Sequence, residues 1–234
     1  MLLHGFGGDL HTWDALWPAI GASLPALRYD QRGCGGSSAP SGPYDHADDL
    51  RAILDTEGIA QCDLVGVSQG GAIALHFALD QPARVRRLVL LSPAIVGWDW
   101  SADWRALSQP IKAAARAGRM DEARRLWWEH PLFRSTRASP AGPALRAEIE
   151  RYSGRHWVRD EHRALLPDVE RLHQLAAPTL LLTGARDLED FRVIAALLEG
   201  AVPRLRRVDA PGLGHLLHLE DPAGTARRIS EFLA

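Results

Sequence analysis

The sequence predicts an α/β fold, a doubly wound and mostly parallel sheet with helices on both faces. Three observations carry that prediction. Short apolar runs of strand length alternate with amphipathic runs of helix length. Several of the apolar runs end at glycine-rich turns, as loops do at the carboxyl edge of an open parallel sheet. From Trp98 to Ala177 the strand rhythm stops and helical runs follow one another, which marks an insertion.

The elements follow in order. Leu2-Leu3 reads as the tail of a buried strand that runs into His4-Gly5-Phe6-Gly7-Gly8. A helix is expected from about Trp13 to Ser23, with Trp13, Leu16, Trp17 and Ile20 on one face. Ala26–Tyr29 is a short strand ending at the tight turn Asp30-Gln31-Arg32-Gly33-Cys34-Gly35-Gly36-Ser37. A helix from about Tyr44 to Thr56 turns Ala47, Leu50, Ile53 and Leu54 inward. Cys62–Val65 is a strand, Gly66–Gly71 a sharp turn, and Ala72–Leu79 the start of a helix. Val85–Leu91 is the next strand, closed by Ser92-Pro93. Helices at about Asp103–Ala117, Met120–Glu129, Pro143–Tyr152 and Arg159–Leu165 fill the insertion. Strands at Thr179–Thr183 and Arg204–Val208 flank a helix from about Asp190 to Leu198. The loop Gly212-Leu213-Gly214-His215 leads to a last helix, about Pro222 to Leu233. The expected organisation is a core of residues 1–97 and 178–234 with a helical cap at 98–177.

Composition narrows the function. A chain of 234 residues, 46% hydrophobic, is long enough for one domain with a sizeable core. Its net charge of -2 gives no field for nucleic acid or an anionic membrane. The basic residues are nearly all arginine, with Lys112 the only lysine. Cys34 and Cys62 stand far apart, in no disulfide framework or metal spacing. Neither metal nor cofactor is expected. No apolar run approaches the ~20 residues of a membrane span, and the first residues lack a signal-peptide pattern. These features predict a cytoplasmic monomer or homodimer that acts on a small molecule.

The chemistry centres on Gly66-Val67-Ser68-Gln69-Gly70-Gly71, a G-x-S-x-G turn between strand and helix. Such a turn holds its serine exposed above the sheet, at the positive end of the helix. A serine hydroxyl is a poor nucleophile without a base in reach and a carboxylate to orient that base. Asp187 and His215 each follow a strand and stand in the order Ser68, Asp187, His215. A helix-capping role competes at Asp187, with Glu189 and Asp190 as alternative acids, and His218 competes with His215. His76, His130, His156, His162 and His173 read as core or surface histidines. An oxyanion hole would take the N–H of Gln69 and one from His4–Gly8, Phe6 first and Gly7 second. The same loop is not a dinucleotide fingerprint, because a G-x-G-x-x-G from Gly5 meets Leu10 where the third glycine belongs.

His4–Gly8, Asp30–Ser37, Gly66–Gly71, Gly184-Ala185-Arg186-Asp187 and Gly214-His215 together resemble the α/β-hydrolase fold family, over nearly the whole chain. The resemblance implies Ser68, Asp187 and His215 as a catalytic triad, with Phe6 and Gln69 as oxyanion donors. A serine at the elbow speaks against the branches that use aspartate there. Arg28–Gly33 and the short cap look most like the small esterases, enol-lactonases and carbon–carbon bond hydrolases. Measured against the family pattern, the leading strand is clipped to Met1–Leu3 and the early hairpin is missing, which leaves Ala26–Tyr29 at a sheet edge.

Six of eight tryptophans fall in the insertion: Trp98, Trp100, Trp104, Trp127, Trp128 and Trp157. They are the candidates for a pocket that closes over an apolar acyl group. The expected activity is serine-dependent cleavage of a small carboxylic ester or lactone. Its alternatives are carbon–carbon bond hydrolysis of a vinylogous diketone by the same triad, and a ligand receptor that retains the triad with little turnover.

Overall fold

The computed structural model describes residues 1–21, 25–163 and 166–234. Among the described residues five strands form one parallel sheet whose spatial order is their order in the chain. They are β1 (Leu2–Leu3), β2 (Cys62–Val67), β3 (Val85–Leu91), β4 (Thr179–Gly184) and β5 (Leu205–Ala210). All six residues of β4 are buried, which is why that run reads as continuously apolar. β5 lies at the far edge and is largely half-exposed.

The expected strand at Ala26–Tyr29 is reduced to a single parallel bridge, Leu2 to Arg28, with Leu2 N donating to Leu27 O at 2.8 Å. β1 presents only two residues, so no longer ladder forms on that side. This bridge still sets the topology. The chain leaves β1 outward to Arg28, then crosses back to β2 on the other side of β1. From there every connection advances the other way. A crevice opens where the direction reverses, between the carboxyl ends of β1 and β2. The loops His4–Gly8 and Gly66–Gly71 meet at that point.

Five helices accompany the strands. They are α1 (Trp17–Gly21), α2 (His46–Thr56), α3 (Gln69–Asp80) and, beyond β4, α9 (Glu189–Ala201) and α11 (Pro222–Leu233). α1 packs on α11 and α2 packs on α3. The helix expected over Trp13–Ser23 is divided into a 3-10 turn at Leu10–Trp13 and the short α1. Pro18 has no N–H to donate, so it fits only the first turn of a new helix; Ser23 lies outside the described residues.

Between β3 and β4 run α4 (Ala102–Arg116), α5 (Met120–Glu129), α6 (Arg134–Arg137), α7 (Gly142–Arg151) and α8 (Arg155–Val158). The short α10 (Leu217–Glu220) precedes α11. The helix expected at Arg159–Leu165 does not form over 159–163, and Leu165 lies outside the described residues. There the backbone pairs with Tyr44 instead. Arg163 N donates to Tyr44 O at 2.8 Å, and Tyr44 N donates to Glu161 O at 3.3 Å.

Polar ties fasten this helical segment to the sheet layer, two of them buried or half-buried around Glu220 and Asp168. Glu220 of α10 accepts from Ser135 Oγ at 2.7 Å and Thr136 Oγ1 at 2.6 Å, both on α6. Fully buried Asp168 accepts from His76 Nδ1 of α3 at 2.8 Å. Among the described residues no helix is long and apolar enough to cross a membrane.

Candidate active site

Ser68 caps α3 with φ 53° and ψ -116°, a strained backbone for any residue with a Cβ. The neighbours account for the strain. A Cβ on Gly66 would overlap the Gly70 carbonyl, and one on Gly70 would overlap the carbonyl of Leu3. Strand, turn and helix therefore approach to backbone contact, and Ser68 is left at the tip. The turn is held on three sides. Ser68 N donates to Leu91 O at 2.9 Å, and Ser68 O accepts from Ala72 N at 3.1 Å and Ala94 N at 3.0 Å.

His4 fixes the neighbouring loop. It is fully buried, and burial lowers its pKa, so the ring is neutral. Its Nδ1 lies 2.8 Å from Gly5 O, and its Nε2 accepts from Gln31 N at 2.9 Å. One tautomer, with the proton on Nδ1, satisfies both contacts. Gln31 Nε2 returns a hydrogen bond to His4 O at 2.6 Å. Phe6 leans the other way, edge-on to Trp127 at 5.9 Å and Tyr152 at 5.8 Å between centroids. The loop is thus pinned from below by the Asp30–Gln31 turn and from above by the helical segment. It stands beside the elbow, since a Cβ on Gly5 would lie 3.5 Å from Ser68 Cβ. Gln69 is the first residue of α3, where N–H groups have no intrahelical acceptor.

The ends of β4 and β5 bring Asp187 and His215 together. A Cβ on Gly184 would overlap the Gly214 carbonyl, so the two loops touch. Asp187 Oδ2 lies 2.9 Å from His215 Nδ1, both side chains are buried, and Asp187 Oδ1 accepts from Leu188 N at 2.7 Å. Leu188, not Asp187, occupies the capping position of α9. Asp190 is spent on Trp98 Nε1 and on Ser101 N and Oγ. His215 Nε2 has no hydrogen-bond partner among the described residues. Phe191 covers the ring at 4.2 Å between centroids. His218 points away from Asp187 to Thr12 Oγ1 at 3.0 Å, and burial pushes its pKa down to about 3.

Ser68, Gln69, Phe6 and His215 line one cavity of about 240 Å³. Its walls are mostly apolar, and Trp100, Trp104, Trp127 and Trp157 contribute to them. Trp98 and Trp128 do not line it. Trp98 stands in a shallower depression at the mouth with Trp100, Trp104 and Lys112. Trp128 follows Trp127 on α5 and so points outward, where Arg146 stacks 4.1 Å from its ring centroid. The polar lining includes Thr12, Lys112 and Glu148, which the sequence patterns did not mark for a site, and His218, which they offered as the alternative base. Glu148 left a signal in its spacing, because it shares a helical face with Leu145, Ile149 and Tyr152. Among the described residues no cluster of three or more His, Cys, Asp or Glu is placed to hold a metal.

With Nδ1–H donating a hydrogen bond to Asp187, the imidazole of His215 can keep an accepting lone pair on Nε2. A serine at the tip of a strained turn, a pinned loop with a free backbone edge and such a histidine are the parts that acyl transfer requires. The model of a family described as alpha/beta hydrolase fold matches residues 1–222. A Klebsiella pneumoniae protein named "Putative carbamate hydrolase RutD" is 30% identical, over 94% of this chain and 85% of its own. The 2-succinyl-6-hydroxy-2,4-cyclohexadiene-1-carboxylate synthase of Salmonella typhimurium is also 30% identical, over 100% of this chain and 92% of its own. The crystal structure of a hydrolase from Pseudomonas aeruginosa superposes with a TM-score of 0.82 at 28% identity, covering 100% of this chain and 88% of that one. Matched in sequence and shape over nearly its whole length, the chain is an enzyme and belongs to the α/β-hydrolase fold family.

Proposed function

We propose that this enzyme is a serine hydrolase that cleaves a small carboxylic ester or lactone. Residues 98–177 act as a cap over the site. One observation carries the reading. His215 is buried with Nδ1 on Asp187 and Nε2 unpartnered, in the wall of the cavity that Ser68 enters from a strained turn.

In the first half-reaction Ser68 Oγ bonds to the substrate carbonyl carbon as its proton passes to His215 Nε2. Negative charge moves to the carbonyl oxygen, where the N–H groups of Phe6 and Gln69 donate to it. The carbon–oxygen bond to the alcohol then breaks, and His215 returns the proton to the leaving oxygen. In the second half-reaction water takes the place of the serine. His215 removes its proton, hydroxide adds to the acyl carbon, and Ser68 leaves with the proton restored. Asp187 stays ionised and holds the imidazolium that forms in each half.

A fluorophosphonate probe and a set of p-nitrophenyl esters of graded acyl length test this, with a carbamate and a dienone added to separate the neighbouring chemistries. Ser68 is expected to be labelled, and Ser68→Ala to lose on the order of 10⁶ in turnover. Folded protein that leaves Ser68 unlabelled and turns over no ester defeats the proposal.

A further inference from the structure

Glu148 is the one acidic side chain in the cavity wall. It forms no ion pair among the described residues. The nearest guanidinium, Arg151, is held by Asp9 through Nε at 2.7 Å and Nη2 at 3.1 Å. Behind Glu148 stands a polar chain. Neutral His218 meets Thr12 Oγ1 through Nε2, while its Nδ1 has no partner among the described residues. A stranded acceptor costs less than a stranded N–H, which places the His218 proton on Nε2. Thr12 then accepts from His218, which leaves its own hydroxyl proton free to turn toward the Glu148 carboxylate. The arrangement presents Glu148 as an acceptor. Burial against apolar neighbours pushes its carboxyl up to about 7, the Thr12 hydrogen bond opposing, so a ligand with positive charge would draw it back to the ionised form. The carboxyl also lies near the reacting end of the cavity. A Cβ on Gly8, in the loop beside the elbow, would come within 2.8 Å of Glu148 Oε1.

We propose that Glu148 is a cation subsite in the substrate cavity, so that favoured substrates carry a protonated amine close to the scissile carbonyl. This rests on the hydrolase reading above and names its substrate class. An unpaired carboxylate in an apolar wall is costly to keep, and an ammonium supplies both the missing charge and the missing donors. The rings of Trp100, Trp104, Trp127 and Trp157 in the same wall suit a cation's remaining faces.

Benzylammonium and benzyl alcohol share one skeleton and differ in charge, and neither is a substrate. Titration of the wild-type enzyme with each at about pH 8, read by calorimetry, should show the amine binding at least about tenfold tighter. Glu148→Gln should erase that preference, and Glu148→Asp should keep part of it. Equal binding of the two probes, or a preference that survives Glu148→Gln, overturns the proposal. Fluorophosphonate labelling of Ser68 in the wild type tests the hydrolase reading separately from the subsite. In the wild type, normal labelling with no amine preference rejects the subsite alone, whereas absent labelling rejects the hydrolase reading.

Discussion

At the residue scale, two glycines show how position decides the effect of one added methyl group. A Cβ on Gly70 would overlap the carbonyl of Leu3, so α3 cannot stay against β1 when it is present. Gly70→Ala is expected to cost several kcal/mol, on the order of a severe overpacking mutant, and to yield little soluble protein. Gly200, on α9, has nothing within 4 Å of its Cβ position. Gly200→Ala is expected to stabilise by about 0.5–1 kcal/mol through helix propensity. Urea midpoints of the two variants should move in opposite directions. The roles of Gly66, Ser68 and Gly70 were legible because a strand, a fixed glycine spacing and a helix stand together in the sequence. His4 and Gln31 were legible only as parts of motifs. Their mutual tether depends on a buried tautomer and on two loops 27 residues apart, and no local pattern encodes that.

At the element scale, α5 supports the loop beside the elbow. Trp127 is buried on α5, edge-on to Phe6 at 5.9 Å and Phe133 at 4.8 Å and within 6.2 Å of Trp157. Trp127→Ala is expected to cost about 3–5 kcal/mol in unfolding free energy and to lower turnover more than it raises KM, because the Phe6 loop loses one of its upper contacts and keeps Tyr152 and His156. Denaturant unfolding and ester kinetics on the same preparation check both parts. α5 and α7 were readable to within a residue at most ends, since their apolar spacing is helical throughout. The stretch Arg159–Leu165 was not, because its backbone pairs with Tyr44, more than a hundred residues away. The same limit applies to α1, where Pro18 cuts short a pattern that otherwise continues.

At the scale of the whole molecule, His76 joins the sheet layer to the helical segment. Burial alone would lower its pKa, but the hydrogen bond to Asp168 and the neighbouring carboxylates of Asp45 and Asp80 outweigh that and push it up to about 10. Arg171 completes the cluster through Asp168 at 2.8 Å and Asp80. The ordinary value is 6.5, so the stability contributed by the imidazolium is fully present below that pH and is lost as pH rises toward 10. His76→Ala is expected to cost about 1.5–3 kcal/mol near pH 6, because it removes one of the two cationic donors that Asp168 accepts from and leaves Arg171 alone on it, and less near pH 10. A gap between wild type and variant that stays constant across that range would contradict this. The sequence showed His76 only as a histidine on a helix, since Asp45, Asp80, Asp168 and Arg171 converge on it through the tertiary fold. Lys112, by contrast, was visible at once as the only lysine, while its place at the cavity mouth was not. That placement makes the enzyme unusual to handle. Amine-directed reagents find one lysine side chain, so coupling to a surface, a dye or a crosslinker through lysine would set every molecule in one orientation, with its entrance against the attachment.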